Sequence, residues 1–139
     1  TLVANYTYTK PKQTKDDTGK DADLAVGDIA NHHLNFIANY LFIKKLNINF
    51  RVNYVGSKQA GTGTSVPANP EKNFPAYTIA NATIGWVNIL PGTTLQLVCN
   101  NLLDKNYFNP AGRAADGINT PSSLLQPGRN FFIKLNYEF

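Results

Sequence analysis

The chain has no methionine and a single cysteine, Cys99, among its 139 residues. One thiol cannot build an internal disulfide framework or a zinc site based on cysteines. No stretch approaches the ~18 consecutive apolar residues that a membrane-crossing helix requires. Helical periodicity is absent as well, because apolar residues never persist at i, i+3 and i+4. The net charge is +4, yet only Lys44 and Lys45 adjoin. Nucleic-acid recognition calls for a clustered basic face, so no nucleic-acid partner is expected. Thr1 already lies in an alternating segment with no signal peptide before it, and this start reads as a cut inside a longer protein.

Catalytic and cofactor-binding constellations are also missing, and no enzyme activity or cofactor is expected. His32 and His33 are adjacent, so on a strand they point to opposite faces and cannot chelate a metal from one side. The GTGTS run at 61–65 lacks the Gly-Lys-Ser/Thr of a phosphate loop and the helix that must follow it. The acidic stretch 16–28 fails the spacing of a calcium loop and lacks its terminal Glu. Asn5-Tyr6-Thr7 and Asn81-Ala82-Thr83 match the glycosylation acceptor pattern but fall inside expected strands rather than surface loops.

What the chain does contain is period-2 alternation. At its end, Phe131, Ile133, Leu135, Tyr137 and Phe139 alternate with Asn130, Phe132, Lys134, Asn136 and Glu138, the signature of a strand with one apolar face. Five further segments read the same way, at 1–10, 31–42, 46–54, 76–86 and 93–101. The third is the cleanest: Leu46, Ile48, Phe50, Val52 and Tyr54 against Asn47, Asn49, Arg51 and Asn53. Cys99 falls on an apolar face and reads as a small apolar residue.

The connections alternate in length. Those after the second and fourth segments are short, the latter containing Pro91 and Gly92. Residues 11–29, 56–75 and 103–126 are long, polar and without strand signal. Compact domains rarely carry several structureless loops beyond ~12–15 residues. Outer-membrane barrels have short periplasmic turns and long extracellular loops. Strands of about ten residues, tilted ~45°, cover an apolar band of about 25 Å. Tyr6, Tyr8, Tyr54, Trp86, Tyr137 and Phe139 sit toward the strand ends, where interfacial aromatics belong. A soluble β-sandwich shares the alternation but gives no reason for the loop pattern. A closed barrel removes open edges in lipid by pairing its last strand with its first.

The stretch NNLLDKNYFNPAG followed by QPGRNFFIKLNYEF resembles the C-terminal end of TonB-dependent outer-membrane receptors. The matching residues are Asn101, Leu102, Leu103, Asp104, Lys105 and Tyr107, then Pro127, Gly128, Arg129 and the terminal Phe139. The segments 51–59 and 74–86 resemble the preceding strands of siderophore-type members, with Asn81 where the family usually has Asp. The resemblance implies an all-β, antiparallel transmembrane barrel portion: about six C-terminal strands of a 22-stranded barrel with a plugged lumen, spanning residues 1–139. The plug domain and earlier strands would lie outside the chain. It further implies an active transporter for a scarce solute such as a ferric siderophore, in the outer membrane of a Gram-negative bacterium with its C-terminus in the periplasm. A passive pore or purely structural barrel is the alternative, and a soluble β-sheet binding module a third.

The partners implied are the TonB complex, acting through the plug, the barrel-assembly machinery, outer-membrane lipid and lipopolysaccharide, and the solute. Tyr137 and Phe139 are the residues expected to close the barrel and signal to the assembly machinery. Tyr107, Arg113 and Asp116 are loop candidates for solute capture.

Overall fold

The computed structural model of the chain describes residues 1–15, 18–25, 27–60, 73–111 and 119–139. Twelve strands are present among them. They are β1 (Leu2–Tyr8), β2 (Lys12–Lys15), β3 (Asp21–Ala25), β4 (His32–Ile43), β5 (Leu46–Val55), β6 (Lys58–Gln59), β7 (Asn73–Phe74), β8 (Tyr77–Val87), β9 (Thr93–Asn100), β10 (Phe108–Pro110), β11 (Ser123–Leu125) and β12 (Asn130–Tyr137). Six of these form one antiparallel sheet in the order β1-β4-β5-β8-β9-β12, each strand pairing with its neighbour in the sequence of the alternating segments.

The register carries the apolar parity across the whole sheet. Tyr6 pairs with Leu34, Leu34 with Tyr54, and Phe36 with both Ala4 and Val52. Further along, Ile48 pairs with Ile84, Ile84 with Leu97, and Leu97 with Ile133. Because the side-chain period is 2, a slip of one residue in any pair would throw that strand's apolar set onto the other side. In the six-stranded sheet the register shifts once, between Leu41 and Ile43 at the end of β4, and the apolar parity holds over the rest. The opposite face joins Asn39 to Asn49, Arg51 to Asn81, and Gln96 to Lys134.

Among the described residues, nothing covers the apolar face. On β12, Phe131, Ile133, Leu135 and Tyr137 are 72%, 76%, 66% and 63% exposed, values that exclude a second sheet packed above them. The few buried apolar side chains among the described residues, Ala30, Phe74, Ile79, Ala80 and Ala111, do not form a sandwich core. An uncovered apolar surface of this extent marks a contact with lipid or protein.

The two short turns lie at one end of the sheet and are joined to each other. The Val87 amide donates to the Lys45 carbonyl at 2.8 Å. Gly92 sits at φ 72° in the β8–β9 turn, and its carbonyl accepts the Glu138 amide at 2.9 Å. A Cβ at Gly92 would stand 2.4 Å from the Glu138 carbonyl oxygen, so this turn admits only glycine if it is to hold the end of β12. Gly92→Ala is therefore expected to cost about 1–3 kcal/mol from backbone strain and clash. Urea unfolding in detergent would read the loss, with fraying at Tyr137 and Glu138.

The long connections depart from the expectation of loops without strands. Each carries a two-stranded antiparallel ladder: β2–β3, β6–β7 and β10–β11. Strands of two to five residues are too short for alternation to register as a periodic signal, which is why the sequence shows none there.

Candidate functional site

The densest polar arrangement lies where β9 ends and β12 begins. Asn101 is 3% exposed and adopts φ 50°, a left-handed conformation that Asn tolerates better than most residues. Its Oδ1 accepts the Lys105 amide at 2.9 Å, while Nδ2 donates to the carbonyls of Lys105 at 2.9 Å and Pro127 at 3.3 Å. The Asn101 amide donates in turn to Asn81 Oδ1 at 2.9 Å. An Asp at position 81 would present the same acceptor, so Asn81 preserves the contact. Leu102 continues the anchoring through its amide, which donates to the Ala80 carbonyl at 2.7 Å.

Asp104, also left-handed at φ 51°, closes the arrangement from the other side. Its Oδ1 accepts the Arg129 amide at 3.1 Å and its Oδ2 the Arg129 guanidinium at 3.3 Å. A Cβ at Gly128 would lie 3.6 Å from Asp104 Oδ1, an ordinary contact, so the pairing does not depend on the missing side chain. Thus Asn101, Leu102, Asp104, Lys105, Pro127, Gly128 and Arg129 meet in one knot, which bonds Asn101 to Pro127 across 26 positions of sequence. It fastens both feet of the connection between β9 and β12. The Asp104–Arg129 side chains are 54% and 43% exposed, so Arg129→Ala is expected to cost no more than about 1 kcal/mol, seen as a small shift in the unfolding midpoint.

Tyr107 rises from the knot into a second cluster at the same end of the sheet. Its ring centroid lies 4.5 Å from that of Tyr77, and its carbonyl accepts the Gln126 amide at 3.0 Å. Lys58 Nζ donates to Asn109 Oδ1 at 2.7 Å and stands 5.8 Å from the Tyr77 ring centroid. The Tyr77 hydroxyl reaches the same Asn109 oxygen at 3.4 Å. Burial holds the Lys58 pKa below its ordinary value, an effect partly offset by the negative charge of Asp28. Phe74, 1% exposed, is the largest fully buried side chain among the described residues. Lys58, Phe74, Tyr77 and Asn109 were not legible in the sequence as a group, because four different elements supply them without a shared motif.

The remaining sequence-derived candidates separate. Tyr107 is half-buried, with Tyr77 against it. Arg113 and Asp116 lie outside the described residues. Tyr137 and Phe139 occupy the opposite end of the sheet, exposed on the apolar face with ring centroids 6.2 Å apart. On that face at the loop end, the Tyr6 hydroxyl and His32 Nδ1 lie 2.7 Å apart and the Tyr8 ring lies 5.1 Å from that of His32. Among the described residues, no group of three or more His, Cys, Asp or Glu side chains gathers.

The polar face is concave near the short turns. A recess of about 480 Å³ is lined by Asn39, Asn47, Asn49, Arg51, Thr83 and Gln96 among others. Higher on the same face, Asn53 donates to Asn35 across β4 and β5. This surface can form hydrogen bonds with water or a polar polypeptide, and Arg51 gives it a fixed positive charge.

One sheet with an uncovered apolar face, a hydrogen-bonding face opposite, short turns at one end and laddered connections at the other is a segment of the wall of an antiparallel transmembrane barrel. Residues 1–102 match the model of the TonB-dependent receptor-like β-barrel family, and the chain belongs to that family, whose members are transporters and not enzymes. The barrel is not closed by these six strands. A comparison with curated protein sequences returns no match.

Solved structures extend the likeness past residue 102. The ferric-catecholate import receptor Fiu of E. coli K12, in its closed form, aligns at TM-score 0.77 and 20% identity over 99% of this chain and 18% of that one. The ferric enterobactin receptor PfeA of Pseudomonas aeruginosa, a Q482A mutant in complex with enterobactin, aligns at TM-score 0.73 and 24% identity over 99% of this chain and 20% of that one. The siderophore receptor PiuA of Acinetobacter baumannii aligns at TM-score 0.70 and 21% identity over 98% and 19%. At these identities the likeness is one of fold. The chain spans about a fifth of the length of the structures it matches.

Proposed function

We propose that residues 1–139 are the C-terminal portion of the barrel of a TonB-dependent outer-membrane transporter that actively imports a scarce solute, most readily a ferric siderophore. The family membership of residues 1–102 carries this reading. Support for the substrate class comes from the names of the structural relatives, ferric-catecholate and ferric enterobactin receptors.

In this reading the apolar face meets outer-membrane lipid and lipopolysaccharide, and the polar face lines the lumen. The short turns and the C-terminus lie in the periplasm, so the laddered connections reach the outside. Tyr107, Arg113 and Asp116 contribute to solute capture. Tyr137 and Phe139 anchor the closing strand at the interface and present the assembly signal to the barrel-assembly machinery. A plug domain outside residues 1–139 links solute binding to TonB through a population shift that requires differential affinity for the solute.

The test is uptake of iron-55 complexed with a catecholate siderophore by iron-starved cells, with and without the encoding gene. The expected result is uptake that needs the gene and the proton-motive force and that stops when TonB is deleted. Gene-dependent permeation that survives loss of TonB would instead establish a passive pore. Mass and peptide mapping of the intact polypeptide in outer membranes should also show plug-domain peptides preceding Thr1.

A further inference from the structure

The three laddered connections are not independent. In the first, the backbone amide of Asp28 donates to the Gln59 carbonyl at 2.6 Å, which joins the segment after β3 to β6. In the second, Lys58 of β6 reaches across to Asn109 of β10 at 2.7 Å. Phe74 of β7 is fully buried, and β7 packs against β10. The third connection holds Asn109 and Tyr107, whose ring packs on Tyr77. Each of the three therefore touches the two-residue strand β6 or its partner β7.

A two-residue ladder has little stability of its own. Two-stranded hairpins are marginal in water even when longer, and connections of this kind ordinarily open with low free energy. The β6–β7 ladder stands because its neighbours lean on it, and they lean on it at adjacent residues: the Gln59 carbonyl on one side and the Lys58 ammonium on the other. Lys58 donates to a neutral acceptor, Asn109, over the face of Tyr77. Its partial burial lowers its pKa, and the charge of Asp28 offsets part of that effect.

We infer that the Lys58–Gln59 step is a tie between the three outer connections, with Lys58 the residue that positions the β10–β11 ladder through Asn109. The three ladders then share their stability, so that loosening one at this step loosens its neighbours.

Hydrogen–deuterium exchange on the intact cellular protein, purified in detergent, tests the tie. Lys58→Met removes the donor and keeps the chain length. It should speed exchange at 108–109 and 123–125 by about tenfold, the change that loss of a hydrogen bond from a charged donor implies, with exchange at 130–137 unchanged. Asn109→Leu should speed exchange at 58–59 and 73–74, and the double variant should add little to either single one. Asn109→Asp, which turns the contact into an ion pair, should slow exchange in both ladders and guards against a variant that simply misfolds. Faster exchange confined to 58–59 and 73–74 in Lys58→Met, or strictly additive effects in the double variant, would overturn the inference. Siderophore uptake measured in parallel separates the two readings. Unchanged exchange in the β10–β11 ladder of Lys58→Met refutes the tie whatever the uptake, while the expected exchange changes with no uptake by the wild type refute only the solute.

Discussion

Asn101→Ala is expected to destabilise the chain more than any other single side-chain truncation in the polar arrangement between β9 and β12. The substitution removes three side-chain bonds to the backbone, those to the Lys105 amide and the carbonyls of Lys105 and Pro127. At 3% exposure, water cannot readily replace them, and each orphaned group costs about 1–3 kcal/mol. Alanine at φ 50° adds a left-handed penalty of about 1 kcal/mol. Partial relaxation reduces the sum, and a net loss of about 3 kcal/mol or more is expected. Asn101→Gly should recover the backbone share only. Asn101→Asp should keep the acceptor to Lys105 and lose both donated bonds, falling between. Urea unfolding in detergent, followed by the heat-dependent gel mobility of the barrel, ranks the three. A loss under about 0.5 kcal/mol for Asn101→Ala would show that the knot does not hold the feet of the connection.

The second large effect concerns Ile133. It is 76% exposed and lies in the middle row of the apolar face beside Leu97, itself paired with Ile84. In water, replacing so exposed an isoleucine with lysine would change stability by no more than about 0.5 kcal/mol. At the midplane of a bilayer the same change costs about 2–4 kcal/mol. Ile133→Lys is therefore expected to impair folding into liposomes by that amount. Lys134→Ala, one residue along and on the polar face, should stay within about 0.5 kcal/mol. The contrast between neighbours is the informative quantity, because the same strand hosts both changes.

The sheet was legible for a physical reason. A sheet with an apolar environment on one side and a polar one on the other needs a period of 2 in its strands, and β5 and β12 carry that period with hardly a break. All six strand positions follow from it, as does the face on which Cys99 lies, beside Phe131. The ladders in the long connections were not legible, since β6 and β7 are two residues each and exist only through tertiary contacts. The same holds for the cluster around Asn109, whose partners arrive from β6 and β8. The motif residues were readable as a group, but their chemistry was not. Sequence placed Asn101 and Asp104 in one motif and Arg129 in a second beyond the loop, and the structure shows Asp104 bonded to Arg129 and Asn101 bonded to the backbone of Lys105 and Pro127.

Asn81 illustrates the difference between a departure in sequence and one in chemistry. Its Oδ1 accepts the Asn101 amide, a contact that either Asn or Asp can supply, so the unusual residue leaves the knot intact. Gly92 shows the reverse: nothing in NILPG announces that the turn must meet Glu138, yet the space left by its missing Cβ is filled by that carbonyl oxygen.

The central claim is that one face of this sheet meets lipid. Spin-label accessibility along β12 tests it most directly, with one label at a time at positions 130 to 137 in a Cys99→Ser background reconstituted in liposomes. The account predicts oxygen accessibility that peaks at 131, 133, 135 and 137 and falls at the even positions, with a polar nickel chelate excluded from the odd ones. Peaks of the nickel chelate at the odd positions, or exclusion of both reagents there, would contradict it, the first placing that face in water and the second burying it against protein.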